Sequence, residues 1–492
     1  MAPRARLWLA IVLVTAAATG ASVAGISMRA TYGAQLTADE PQYLLTAISI
    51  AEDRSLDISD ELAAQRYRSF HEVLLPQQTE PRADGSRVSP HNPLLPAVLA
   101  APVAIGGWVA AKAALAAMAG LLAGLLLWTA VRRFDVSLAT ATLTVLVFGA
   151  SVPFAVYGTQ VYPELPAALV VTIAIIALTG RLKRNGTALL AATVVALPWL
   201  ATKYLPVALV LAIAGLARLL HRDQRREALA LGMGLGLAAA AFLAAHQSWY
   251  GGWTPYAAGD HFVGGEFTVI GSDPNYLGRG RRLSGLLVGE KFGLAAWQPA
   301  WLFVVPAAAA LLGRRPDGWD VLCLTLASGW LTATFLALTM HGWWWPGRQL
   351  VVVLPAAVIG IAWWIGTSQA RRLAAGVLGA VGMLSYGWLL SEGLRGQLTW
   401  VVDFFETSNP VYRIWARALP DYLDQPTSTW PLHWLWVAVI VATALAAFAA
   451  CRHQRGLAIG SARVARALPV SIGTAALRAR LARSPVRVQR QP

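Results

Sequence analysis

The chain has 492 residues, of which 57% are hydrophobic and only 13% are charged, and its formal net charge is +15. An ordinary soluble domain has roughly a quarter of its residues charged, so this composition excludes a soluble globular protein. Apolar runs of about 20 residues recur from end to end, and each is long enough to cross the ~30 Å core of a bilayer as a helix. The sequence therefore predicts an all-α polytopic membrane protein.

The excess positive charge is concentrated at one end of the chain. The segment 451–492 contains nine arginines and no acidic residue, and most other basic residues fall in short loops between apolar runs. This distribution is typical of residues that set membrane topology and attract anionic headgroups. It predicts membrane lipids as partners and argues against nucleic acid. The two cysteines, Cys323 and Cys451, lie in or beside apolar runs and have no metal-ligand spacing.

Hydropathy predicts about twelve transmembrane spans, and a count of 11–13 fits the pattern. The spans lie at about 7–28, 108–131, 137–157, 165–180, 187–201, 205–220, 228–249, 294–312, 320–340, 349–366, 373–391 and 432–450. A shorter stretch at 94–105 is bounded by proline and is too short to cross comfortably. We expect it to be re-entrant or interfacial.

Clusters of basic residues orient the chain. They lie at 4–6, 132–133, 181–184, 222–226, 314–315, 371–372 and in the tail, and the twelve-span count puts all seven on one side. Both termini are therefore predicted to be cytoplasmic. The first apolar run, followed by Ala21 and Ala24, is also compatible with a cleaved signal peptide. Four Lys against 36 Arg, with frequent Ala and Trp, favour a GC-rich bacterial source and hence a bacterial plasma membrane.

Three long loops face outward in this topology, at about 29–93, 250–293 and 392–431. The first carries ten of the chain's 25 acidic residues. Long structured loops on one face usually carry function, so we expect the chemistry there. The predicted organisation is a first span (1–28), a catalytic loop with interfacial helices (29–93), the remaining bundle (94–450) and a basic cytoplasmic tail (451–492). The second and third loops are expected to select the acceptor.

An Asp-Glu-Pro-Gln-Tyr motif begins at Asp39, just past the first span. Two adjacent carboxylates at a membrane interface are costly unless they are hydrated, paired or used. Pro41 suits the first turn of a helix, and Asp39 and Glu40 then lie beside its positive N-terminal end. Taken alone, the motif is compatible with an acidic cap on an interfacial helix that also contains Tyr43.

One span followed by an Asp-Glu-x-x-Tyr motif at the start of an outer loop resembles the GT-C superfamily of glycosyltransferases. Within it, the pattern is similar to the lipid A aminoarabinose transferases and the protein O-mannosyltransferases. The resemblance implies an integral membrane enzyme that moves a sugar from a polyprenyl-phosphate carrier to a lipid, glycan or protein acceptor. In that family the first acid acts as the catalytic base or orients the acceptor. That position is Asp39 here, with Glu40 and Tyr43 beside it.

Two further segments resemble the family. The Ser-Pro-His-Asn-Pro stretch at 89–93, which contains His91, is similar to the segment that leads into the second family span. The stretch 157–164, which contains Tyr162 and Glu164, resembles the second acidic site and places Glu164 near Asp39. Tyr162 is also compatible with an interfacial aromatic anchor. An ionisable group at a span boundary, such as Glu164, needs a partner.

Three basic residues run against the positive-inside trend: Lys203, Lys291 and Arg348, the last in a His-Gly-Trp-Trp-Trp-Pro-Gly-Arg segment that begins at His341. A polyprenyl-phosphate donor needs cationic groups at headgroup depth, and arginine offers a bidentate fork for phosphate oxygens. The segments around Lys291 and Arg348 also resemble later loops of these transferases. Snorkelling membrane anchors are the alternative interpretation.

The expected reaction is a single inverting displacement in which Asp39 is the base, while Arg348 and Lys203 hold the phosphate. The first loop has no Asp-x-Asp motif, and the nearest arrangement is Asp57 and Asp60, three residues apart. The adjacent Asp-Glu pair resembles the metal-independent branch, so no metal and no cofactor are predicted. A cell-wall arabinan or mannan is one candidate product. The alternatives are a transporter of a lipid-linked substrate and a non-catalytic subunit of an envelope-glycan assembly complex.

Overall fold

The computed structural model describes residues 3–263 and 275–467, and the side chains of Asp260 and of residues 455–467 are not part of that description. Within these ranges every regular element is a helix, and the only β pairing consists of four isolated bridges. The expectation of an all-α protein is therefore confirmed for the described chain. Part of the predicted second loop and the Arg-rich end of the predicted cytoplasmic tail lie outside the described residues.

The helices follow one another with short connections except in the three long loops and in the segment 332–353, which contains Arg348. The α-helices are α1 (Pro3–Val23), α2 (Glu40–Glu52), α3 (Ser59–Ala63), α4 (Leu94–Arg133), α5 (Leu138–Gly149), α6 (Phe154–Tyr157), α7 (Glu164–Leu178), α8 (Arg184–Leu200), α9 (Leu205–His221), α10 (Arg225–Tyr250), α11 (Tyr276–Arg279), α12 (Arg282–Val288), α13 (Leu294–Trp297), α14 (Val304–Arg314), α15 (Trp319–Leu331), α16 (Leu354–Ile365), α17 (Gln369–Leu394), α18 (Pro410–Ala416) and α19 (Thr429–Ala467). Short 3₁₀ turns lie at Arg66–Ser69, Thr202–Tyr204, Ala257–His261, Pro299–Phe303, Val351–Val353 and Phe404–Glu406, and a π turn lies at Thr332–Leu336.

Seven helical segments in the described part of the chain are long and apolar enough to cross a membrane. They are Pro3–Val23, Leu94–Arg133, Thr202–His221, Arg225–Tyr250, Trp319–Leu336, Gln369–Leu394 and Thr429–Gln454. This supports a multi-pass membrane protein. Other apolar helices are shorter: α5 has 12 residues, which at 1.5 Å per residue is about 18 Å. The twelve-span arrangement is therefore still a prediction.

The stretch 94–105 is helical and forms the first part of α4. A break at Gly106 and Gly107 separates it from the long apolar part of the same helix. Gly107 has a φ of +60°, a left-handed conformation that costs glycine little because it has no Cβ. The stretch is therefore a helix that ends at the two glycines, and its re-entrant or interfacial position stays a prediction.

The N-terminal helix α1 packs closely along α4 because α4 presents two glycines, Gly120 and Gly124, one helical turn apart. A Cβ on Gly120 would lie 2.0 Å from Oγ1 of Thr19, and one on Gly124 would lie 2.7 Å from Oγ1 of Thr15. Small residues four apart let two membrane helices approach to backbone contact. Helices α2 and α7 also pack on α4.

The first long loop, 29–93, is folded against its neighbours. Isolated bridges join Ala34 to His71 and Asp57 to Val88. The hydroxyl of Tyr32 donates a hydrogen bond to the Asp403 carboxylate in the third long loop. The bridges therefore fold the loop on itself, the Tyr32 hydrogen bond joins its start to the third long loop, and α2 packs on α4.

We expect the Gly120→Leu substitution to destabilise the protein by about 1–3 kcal/mol, because the added side chain overlaps Thr19 and the α1 backbone. The readout is the midpoint of thermal unfolding of the detergent-solubilised protein. Gly232→Leu is the matched control, because a Cβ at Gly232 meets nothing within 4 Å. Equal midpoints for the two variants would contradict the proposed packing of α1 on α4.

Candidate functional site

Four charged side chains from four separate parts of the chain meet at one point, which we call the charge cluster. They are Asp39 before α2, Glu164 at the start of α7, Lys203 in the turn before α9, and Arg348 before the turn that precedes α16. Arg348 Nη2 lies 2.6 Å from Asp39 Oδ2, and its Nε lies 2.9 Å from Glu164 Oε1. Lys203 Nζ lies 2.6 Å from the same Glu164 oxygen.

Arg348 is the centre of the cluster because it pairs with both carboxylates at once. Its guanidinium also lies over the rings of Tyr162, 4.0 Å from the centroid, and Trp344, 4.9 Å from the centroid. Burial by itself would lower the pKa of Arg348, but Glu164 and Asp39 outweigh it and raise the pKa. The side chain is 8% exposed. Arg348 is therefore a permanent cation held between two acids and two aromatic faces.

Asp39 is the most accessible acid of the cluster, with 21% of its side chain exposed. His91 Nε2 lies 4.0 Å from Asp39 Oδ1, and the His91 ring stacks on Tyr43 at a centroid separation of 4.8 Å. Burial would raise the pKa of Asp39, but the charges of Arg348, His91 and Lys203 lower it to about 2. Asp39 is therefore ionised at neutral pH.

His91 has the opposite electrostatic balance. Burial is the main influence and lowers the pKa of His91, although Asp39 acts in the other direction. The imidazole is therefore neutral at pH 7. Its Nε2 also lies 3.3 Å from Oε1 of Gln78, so the ring is held both by this polar contact and by its stacking on Tyr43.

Glu40 lies beside the cluster and points into the protein, where it is 1% exposed. One carboxylate oxygen accepts the backbone N–H of Val161 at 2.7 Å, and the other accepts that of Thr37 at 3.2 Å. Burial raises the pKa of Glu40 to about 7. That value alone would favour an acid–base role, but both oxygens are already bonded to backbone. The geometry instead makes Glu40 the group that fastens the segment before α7 to the start of α2.

Several buried polar atoms around the cluster have no hydrogen-bond partner within the described protein. They are the hydroxyls of Tyr162 and Tyr204, Oε2 of Glu164 and both amide atoms of Gln160. A buried polar atom without a partner costs about 1–3 kcal/mol, so native proteins retain such atoms where they serve a ligand, an ion or water. Their concentration beside the charge cluster indicates a site for a polar molecule.

Ten residues were predicted for the site, and eight of them lie in or beside the charge cluster: Asp39, Glu40, Tyr43, His91, Tyr162, Glu164, Lys203 and Arg348. Lys291 and His341 do not. Lys291 is paired with Asp421 at 3.1 Å and with Asp424, both in the third long loop. His341 packs against Phe292 at a centroid separation of 5.0 Å. No hydrogen bond, ion pair or ring contact among the described residues joins Lys291 or His341 to the cluster. They belong to a second polar region between the second and third loops.

The sequence reasoning missed three contributors to the site. Gln349 Oε1 accepts from Lys203 Nζ at 3.3 Å. The buried Gln160 amide directly precedes Val161, whose N–H donates to Glu40. Lys112, buried in α4, donates to the carbonyls of Ile26 and Gln35 just before the motif. A lysine inside an apolar run is rare, and this feature of the sequence could have identified Lys112. Nothing in the sequence pattern distinguishes the two glutamines.

A cavity of about 590 Å³ lies at the other end of α7 from the cluster. Its lining includes Arg133, Arg218, Arg222 and Asp320. The guanidinium of Arg218 is bonded to both carboxylate oxygens of Asp320, at 2.7 and 2.9 Å. Because α7 has 15 residues and is therefore about 22 Å long, this cavity is separate from the charge cluster.

The carboxylates of both cluster acids are already paired with cations: Asp39 with Arg348, and Glu164 with Arg348 and Lys203. These acids are therefore not arranged as an open metal site. In the described ranges, one group of three side chains has ligand atoms close enough to share a metal ion, and it is Asp53, Asp60 and Glu61. That group lies at the far end of α2.

No family model, no curated protein and no solved structure matches this chain. The assignment of a function therefore depends on the residues of the cluster and on their geometry.

We expect acid to weaken the Asp39–Arg348 pair. The pKa of Asp39 falls from 3.8 to about 2 on folding, so its contribution is fully present above pH ~4 and is lost as pH falls toward 2. The shift corresponds to about 2 kcal/mol. The free energy of unfolding in micelles, measured at pH 5 and at pH 2, should fall less in Asp39→Asn than in the wild type. Parallel acid dependences would show that the ion pair does not form.

Proposed function

We propose that the chain is a membrane glycosyltransferase that moves a sugar from a polyprenyl-phosphate carrier to a hydroxyl acceptor on the non-cytoplasmic face. One observation carries the proposal. An ionised, partly exposed carboxylate and two cations, Asp39 with Arg348 and Lys203, meet beside unpartnered tyrosine hydroxyls. Transfer from a sugar phosphate needs that set of groups: a base for the acceptor, cations for the phosphate and polar partners for the sugar.

The proposed topology places the cluster on the face opposite the basic clusters. Glu164 begins α7, and the basic residues 181–184 follow directly after its end at Leu178. In the same way, Arg218 and Arg222 lie at the opposite end of α9 from Lys203. If positive residues are retained in the cytoplasm, Asp39, Glu164 and Lys203 face outward. A GT-C-like arrangement of about twelve spans in a bacterial plasma membrane, with both termini cytoplasmic, accommodates these placements.

The donor phosphate is expected to compete with Asp39 for Arg348. Arginine binds phosphate oxygens through its planar fork, and Lys203, whose Nζ lies 2.6 Å from Glu164 Oε1, adds a second positive charge. When the phosphate pairs with Arg348, the interaction between Arg348 and Asp39 becomes weaker. The pKa of Asp39 then rises toward a range in which the carboxylate can act as a base. The ion pair thus keeps Asp39 in place until the donor arrives.

The reaction is a single displacement at the anomeric carbon. The acceptor oxygen forms the new C–O bond while the bond from that carbon to the phosphate oxygen breaks. The acceptor proton passes to Asp39, and the electron pair leaves with the phosphate, whose charge Arg348 and Lys203 stabilise. His91 Nε2 lies 4.0 Å from Asp39 Oδ1, which leaves the neutral ring free to contact the substrate beside the base. This step inverts the anomeric configuration and uses no metal, because two side-chain cations supply the positive charge.

A transporter of a lipid-linked substrate is the main rival, and it would use ionisable residues inside the bundle. Lys112 is the buried cation in α4, but it donates to two backbone carbonyls near the start of the first loop. That environment is typical of a structural lysine. A non-catalytic subunit of an assembly complex would conserve the fold without needing Asp39 to be ionised. The transfer assay below separates the three functions.

We expect Asp39→Asn to reduce sugar transfer by at least 100-fold, because the acceptor proton then has no base. Arg348→Gln should also abolish it, because the phosphate loses its bidentate partner. The assay uses protein in nanodiscs, radiolabelled polyprenyl-phosphate mannose or arabinose, and acceptor membranes from cells lacking this protein. Asp84→Asn, which changes an exposed aspartate of the same loop, is the matched control. Wild-type transfer by Asp39→Asn would remove the assignment, and carrier movement without incorporation would identify the transporter.

Cysteine labelling tests the orientation. In a background with Cys323 and Cys451 replaced by serine, Ala83→Cys lies in the first loop and Arg222→Cys lies after α9, and both positions are exposed. A membrane-impermeant maleimide applied to intact cells should label position 83 and leave position 222 unlabelled until the membrane is permeabilised. The reverse pattern would put the charge cluster in the cytoplasm and exclude the proposed donor.

A further inference from the structure

Three carboxylates meet at the end of α2 that is remote from the charge cluster. Asp53 follows the last turn of α2, and Asp60 and Glu61 lie in the first turn of α3. One ligand oxygen from each residue lies within 4.8 Å of the other two. The 13 residues of α2 separate this group from Asp39 by about 20 Å. The proposed reaction does not use it.

Glu61 distinguishes this group from an ordinary exposed acidic patch. The residue is 2% exposed, and its Oε2 has no hydrogen-bond partner within the described protein. Asp53 and Asp60 are exposed, so the space between the three carboxylates is accessible from solvent. A carboxylate buried without a partner is costly, and native proteins rarely keep one unless a proton or a cation completes it.

The neighbouring side chains do not supply that cation. Arg66 donates two hydrogen bonds to the carboxylate of Glu52, at 2.6 and 2.8 Å. Arg54, which directly follows Asp53, is exposed, and no ion pair among the described residues joins it to the three carboxylates. Asp57 is also committed, because its Oδ1 accepts from the backbone and hydroxyl of Ser59.

We infer that Asp53, Asp60 and Glu61 bind a hard divalent cation of the Ca²⁺ class. All three ligands are carboxylate oxygens, which Ca²⁺ and Mg²⁺ prefer and which thiophilic metals do not. Oxygens on opposite sides of a Ca²⁺ ion lie about 5 Å apart, since each bond is about 2.3–2.6 Å, and the observed spread fits within that span. The exposed side of the site leaves the remaining coordination positions to water.

The cation would join the end of α2 to α3. Its position at the C-terminal end of α2 is also favourable, because the helix dipole places negative partial charge there. Since α2 begins at the Asp-Glu motif, a link at its other end holds the helix that carries Asp39 to the rest of the first loop. The site is structural, and its existence does not depend on the glycosyltransferase proposal.

The test is direct binding of Ca²⁺ to the purified full-length protein in nanodiscs after chelator treatment. We expect one saturable site per chain by isothermal titration with CaCl₂, in the sub-millimolar to millimolar range of extracellular calcium modules (about 10⁻⁴–10⁻³ M). Glu61→Gln should weaken binding at least tenfold, and Asp53→Asn should act in the same direction. Glu80→Gln, which makes the same chemical change at an exposed residue of the same loop, should bind as the wild type does.

A second measurement distinguishes the loss of the cation site from misfolding of the variant. Ca²⁺ should raise the thermal unfolding midpoint of the wild type and of Glu80→Gln but leave that of Glu61→Gln unchanged, while all three have the same helix content. The absence of saturable binding up to 10 mM CaCl₂ (about tenfold above that range), or equal binding by Glu61→Gln and the wild type, would overturn the proposal. Loss of transfer activity plays no part in either outcome, so a failure here leaves the proposed function untouched.

Discussion

The arrangement of the described structure depends on one ion network with a buried centre. Arg348 pairs with Asp39 and Glu164, and Lys203 pairs with Glu164; Arg348 and Glu164 are buried, whereas Asp39 and Lys203 are partly exposed. Taking charges from water is expensive unless each finds a partner with good geometry, and removing one partner of such a network leaves the others uncompensated. The network therefore constrains four distant parts of the chain to meet at one point.

Helix termini make this meeting place suitable for charge. Asp39 lies at the N-terminal end of α2, and Glu164 is the first residue of α7. Helix N-termini carry positive partial charge, which stabilises both carboxylates before any side-chain cation is counted. Glu40 then links the two ends, because its carboxylate accepts from Val161, three residues before α7. The close packing of α1, α2 and α7 on α4 holds these termini at one level.

The sequence predicted much of this arrangement for reasons that are local. The apolar runs required helices. Charged residues next to the spans required partners, and this predicted Asp39, Glu164 and Arg348 as site residues. The sequence also grouped Lys291 and His341 with the other binding residues, but the structure places both apart from the charge cluster. In the structure Lys291 pairs with Asp421 and Asp424, because the second and third loops fold against each other. Contacts between loops have no periodic signal in a sequence.

The sequence by itself determined the class of the protein, since the cost of an unbonded backbone in lipid leaves helices as the structure for long apolar runs. It also determined which charged residues need a partner, because a charge beside an apolar span must be compensated. Only the tertiary structure decided which partner each charge takes: Arg348 bridges two acids, Glu40 turns inward to backbone N–H groups, and Glu61 is buried beside Asp53 and Asp60. These outcomes depend on distances between residues up to 309 positions apart, and such distances are set by how helices pack.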